Sequence, residues 1–158
     1  MTKTSGRIDA LRFLICALLA PGTSVIICGL LAHMLPQDAE GLRALEPALL
    51  LNPFAFLLVS VLGAPSSVIF GLAGCLLAER RLQGRPLWLW GGAGLVAAGV
   101  YAALGTLLHR IPAFDILAPW AGMLREPEPW SVDACIIASI LASGLIAGTA
   151  YRLASREV

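Results

Sequence analysis

Residues 48–78, Ala-Leu-Leu-Leu-Asn-Pro-Phe-Ala-Phe-Leu-Leu-Val-Ser-Val-Leu-Gly-Ala-Pro-Ser-Ser-Val-Ile-Phe-Gly-Leu-Ala-Gly-Cys-Leu-Leu-Ala, run for thirty-one positions without a charge. Gly63-Ala64-Pro65-Ser66-Ser67 interrupts the run at its middle. Asn52-Pro53 offers a side-chain N-cap followed by proline at the first helical position, where a missing N–H costs nothing. A helix from Pro53 to Ala78 is about 39 Å long at about 1.5 Å per residue, enough to cross a hydrocarbon core of about 30 Å at a tilt. Pro65 deprives the Val61 carbonyl of its donor, which predicts a kink, or an unwound segment, in mid-membrane.

Three further apolar segments need this one to pack against: residues 11–35, 87–108 and 132–152. With 58% hydrophobic and 13% charged residues in 158, the chain is too apolar for a soluble domain, where charged residues make up about 25%. The four segments use most of the length. The expected fold is therefore all-α: one polytopic membrane domain over residues 1–158, a four-transmembrane-helix bundle of two antiparallel hairpins. The net charge of +1, without a basic stripe interleaved with aromatics, excludes nucleic acid as a partner.

The N-terminal run after Lys3, Arg7 and Arg12 is longer than the apolar core of a signal peptide, so a retained helix is expected, bent by Pro21. Residues 36–52 form a short acidic loop, and residues 79–86 a tight basic turn in which Pro86 opens the third helix. Residues 109–131 form the longest loop, with Pro112, Pro119, Pro127 and Pro129. Part of it has helical spacing suited to the interface, with Trp120 as anchor, and Ser131 is placed to cap the fourth helix.

Placing both termini and the 79–86 turn on one side collects Lys3, Arg7, Arg12, Arg80, Arg81, Arg85, Arg152 and Arg156, leaving Arg43, Arg110 and Arg125 opposite. The positive-inside rule makes both termini cytoplasmic. Trp88, Trp90 and Tyr151 then mark the inner boundary and Trp120 and Trp130 the outer. The Ala/Leu/Gly/Arg-rich style of the chain leads to a bacterial inner membrane as the expected location.

Charge buried in lipid is the default pointer to function, and every Asp, Glu, Lys and Arg falls in a loop or at a helix end. That argues against a proton-coupled carrier or a charge-paired ion path. Small residues recur every fourth position: Gly94, Ala98, Ala102 and Thr106 on the third segment, Gly144 and Gly148 on the fourth, and Gly63, Ser67, Gly71 and Cys75 on the second. Such ridges let helix backbones approach closely. Cys135, Ser139, Ser143 and Ala147 make a neighbouring ridge on the fourth segment. Cys16, Cys28, Cys75 and Cys135 lie in apolar segments without metal-site spacing and read as packing residues.

Three functional expectations follow. The first is a non-enzymatic accessory subunit of a larger membrane complex, meeting another integral membrane protein or a second copy through Gly94, Ala98, Ala102, Gly144 and Gly148. The second is a small solute or ion transporter or channel, its pathway or hinge at Ser60, Gly63, Pro65, Ser66 and Ser67. The third is haem or metal binding through His33 and His109, the two histidines of the chain, both near outer helix ends. No resident cofactor is expected under the first two. Asp133, Glu126, Glu128 and His109 are the acid–base candidates on the outer side, and their spacing specifies no reaction.

Overall fold

A computed structural model describes residues 10–34, 52–82, 85–108, 111 and 130–154. These contain four α-helices: α1, Ala10–Ala32; α2, Pro53–Arg81; α3, Leu87–Leu108; and α4, Trp130–Ala154. Each is long and apolar enough to cross a membrane. At 22 to 29 residues they are about 33 to about 44 Å long.

The helix ends follow local chemistry. The Asn52 side-chain oxygen accepts from the N–H groups of Phe54 at 3.1 Å and Ala55 at 3.2 Å, and Pro53 occupies the first turn. Two of the unpaired donors at the start of α2 are thereby satisfied. At its other end α2 continues past Ala78 to Arg81. Arg80 and Arg81 fall in its last turn, where positive charge complements the helix dipole. The Leu82 N–H returns to the Ala78 carbonyl at 2.7 Å. Asp133 sits in the first turn of α4, the corresponding favourable place for an acid.

Two expectations about these elements are corrected. Residues 63–67 are helical, and α2 passes through them without an unwound segment. Proline removes one hydrogen bond, and packing against a neighbouring helix holds the turn: Pro21 of α1 lies against Gly63, filling the space a Cβ there would need. α1 likewise continues through Pro21. The second correction concerns Ser131, which lies inside the first turn of α4, because the helix begins at Trp130.

The four helices close a ring in chain order, α1 packing on α2 and α4, and α3 on α2 and α4. Phe13 approaches Gly71, and Gly22 approaches Phe56 and Ser60. Gly74 meets Ala97, and the Phe70 and Tyr101 rings lie 5.1 Å apart. The tightest seam joins α3 to α4. A Cβ on Gly94 would collide with the Gly144 carbonyl, and one on Gly148 with the Trp90 carbonyl.

Two buried clusters hold the ring at opposite ends. One gathers Cys28, Ala102, Val132, Cys135, Ile136 and Ile140. The other gathers Ala78, Trp90 and Tyr151, with Phe13, Cys16 and Cys75 packed around them. Trp90 and Tyr151 lie at helix ends as the sequence implies, yet they face inward, 2% and 4% exposed, whereas Trp88 points outward. All four cysteines are free thiols. Large apolar side chains such as Leu62, Val96 and Leu107 cover the outside, as expected of helices whose solvent is lipid.

Candidate functional site

Close approach of glycine and alanine holds the seams together but fills the middle poorly. A cavity of about 420 Å³ runs inside the ring with walls from all four helices. It reaches from one buried cluster to the other, since Cys28 and Ile136 line it at one end and Trp90 and Tyr151 at the other. The walls are largely apolar, and none of the described lining residues is charged.

Polarity enters the walls as hydroxyls. Ser24 comes from α1, Ser66 and Ser67 from α2, and Ser139 and Ser143 from α4. Three of them donate to carbonyls one turn back on their own helix: Ser66 Oγ to Gly63 O at 2.8 Å, Ser139 Oγ to Ile136 O at 2.7 Å, and Ser143 Oγ to Ile140 O at 2.9 Å. Ser24 Oγ lies 3.2 Å from Ser139 Oγ. The Ser139 proton is already committed to Ile136, so Ser24 is the donor of that pair.

Polar groups gather at the Trp90 end. Tyr151 donates its hydroxyl to Glu79 Oε1 at 3.2 Å, and its ring lies 5.9 Å from that of Trp90. The Arg152 guanidinium stands 5.1 Å over the Trp90 ring, a cation–π arrangement. Arg12, from the first turn of α1, donates to the Ala154 carbonyl at the end of α4 and closes the ring there. The Trp90 indole N–H is buried without a hydrogen-bond partner among the described residues.

The residues singled out from sequence are distributed as follows. Gly63, Ser66 and Ser67 line the cavity. Ser60 is fully buried against Gly22 at the α1–α2 seam and does not belong to the walls, and Pro65 is exposed. Gly94, Ala98, Gly144 and Gly148 also line the cavity and at the same time form the α3–α4 seam, while Ala102 is buried in the first cluster. These five face into the ring and pack helix on helix within the chain, one of the two roles their spacing suggests. His33 is exposed just beyond α1, and His109 lies outside the described residues. The described residues contain no group of three or more metal-ligating side chains.

Sequence reasoning assigns Ser139 and Ser143 to a packing ridge and gives Ser24 no role. Their shared signal is a hydroxyl within a stretch otherwise suited to lipid. Which hydroxyls converge depends on helix rotation, which a run so uniformly apolar leaves open.

Comparison with protein-family models, curated proteins and solved structures finds no match to this chain. Four helices of this length and apolarity are consistent with a small multi-pass integral membrane protein.

Proposed function

We propose that this protein is a small integral membrane protein of the transporter or carrier class that holds a small lipophilic molecule within its helix ring. The cavity carries this reading. Its volume falls in the range of about 300–1,000 Å³ common to small-molecule sites, and a mostly apolar pocket with a few convergent polar groups is the default binding-site hypothesis. The pathway residues expected from sequence contribute through Gly63, Ser66 and Ser67, as wall residues of a continuous helix. The accessory-subunit reading loses its main support, because its small-residue faces are occupied by α3 and α4 themselves.

In the proposed arrangement the chain forms two antiparallel hairpins, α1–α2 and α3–α4. Both termini and the basic turn are cytoplasmic, in a bacterial inner membrane. The bias of eight basic residues against three supports that orientation. The end that carries Trp90, Tyr151 and Glu79 is then cytoplasmic.

The test is mild-detergent purification of the tagged chain from its native membrane, organic extraction, and mass spectrometry of the extract and of accompanying proteins. The expected result is one lipophilic small molecule near equimolar amount, strongly reduced in Ser67→Leu, whose larger side chain fills the wall. Extracts that match bulk lipid in both proteins would sink the reading. A stoichiometric partner protein would return weight to an accessory role.

A further inference from the structure

We infer that the cavity takes an electroneutral lipophilic molecule carrying a group that both donates and accepts a hydrogen bond, a long-chain alcohol being the simplest of the class. The inference rests on the cavity reading above and names the chemistry of its occupant. Its first support is the absence of charge among the described lining residues, which leaves a cation or anion without a counter-charge in a low-dielectric interior. The second is the state of the hydroxyls. The protons of Ser66, Ser139 and Ser143 are committed to their own helix carbonyls, and that of Ser24 to Ser139. A serine so engaged still has lone pairs. To an occupant these four serines therefore offer acceptors, while the Trp90 indole N–H, a wall donor without a hydrogen-bond partner among the described residues, offers a proton. A ligand hydroxyl, which both donates and accepts, is complementary to such walls, whereas a bare hydrocarbon leaves them unused.

Trp90 lines the cavity and provides the readout. In a Trp88→Phe, Trp120→Phe, Trp130→Phe background reconstituted in phosphatidylcholine vesicles, its fluorescence is titrated with three contact quenchers of equal chain length. These are a terminally brominated undecanol, the corresponding bromoalkane, and the corresponding brominated trimethylammonium, each scaled to its measured mole fraction in the bilayer. The alcohol is expected to quench saturably, with a half-point roughly two- to tenfold below that of the bromoalkane, the value of one neutral hydrogen bond. The ammonium should be weaker on the order of fiftyfold. Ser139→Ala together with Ser143→Ala should narrow the gap between alcohol and bromoalkane, and Ser67→Leu should abolish saturation for both.

Equal half-points for alcohol and bromoalkane in the unsubstituted serine background would overturn the hydrogen-bonding assignment. Ammonium quenching as strong as that of the alcohol would overturn electroneutrality. Either result leaves the cavity itself standing as a binding site. Quenching that never saturates with any probe, and is indifferent to Ser67→Leu, would overturn the cavity reading together with the inference.

Discussion

Gly94, Gly144 and Gly148 occupy positions where a single methyl group decides whether two helices meet. An added Cβ on Gly144 would stand 2.5 Å from the Ala98 Cβ and 2.6 Å from the Gly94 carbonyl, and main chain cannot swing aside as a flexible side chain can. Gly92, two residues from Gly94 on the same helix, has nothing within 4 Å of such a Cβ. The pair gives a controlled prediction. Gly144→Ala should lower stability by about 1–3 kcal/mol, the usual cost of overpacking, while Gly92→Ala should leave it equal or slightly higher through better helix propensity. Thermal unfolding followed by circular dichroism in one detergent reads both. Equal effects would mean that the α3–α4 seam is not so close. The every-fourth-residue spacing is legible in sequence as a contact surface. What it contacts is not, since a neighbour within the chain and a separate partner ask for the same small residues.

At the scale of elements, α2 carries the clearest local information. Asn52 and Pro53 mark its start from sequence alone, because an N-cap and a proline at the first position act through backbone groups only a few residues away. Asn52→Ala should cost about 1 kcal/mol of stability, visible as a lower unfolding temperature and earlier amide exchange at Phe54 and Ala55. Unchanged exchange there would deny the cap its role. Pro65 shows the limit of the same local reasoning. The lost donor is a property of the residue, but the path of the helix past it depends on what stands alongside, here Pro21 against Gly63. Ser66, next along the chain, is held by the Gly63 carbonyl and turned into the ring.

At the scale of the molecule, the ring closes because α1 and α4, first and last in the chain, pack together. Arg12 meets the Ala154 carbonyl at one end, and Ser24 meets Ser139 midway. The proposed orientation follows from the bias of basic residues along the sequence. Reporter fusions check it. A phosphatase active only outside the cytoplasm should be silent after residue 158 and active within residues 36–52, and a cytoplasm-dependent fluorescent reporter should give the reverse. Activity of the phosphatase at the C-terminus would invert the arrangement, and with it the side on which the Trp90–Tyr151–Glu79 cluster lies.

The sequence by itself determined, for the described residues, the four helices long enough to cross a membrane, their approximate limits and their apolar character. Those properties follow from length, apolarity and capping groups that act within a few residues of one another. It also marked small residues as contact points. Only the tertiary structure decided that these contacts close within the chain, that α2 runs unbroken through Gly63–Ser67, and that serines from three helices face one central cavity. The physical reason is rotational. A helix apolar on every side satisfies lipid equally well at any angle about its axis, so the face it turns inward is chosen by the shape and hydrogen bonding of its neighbours.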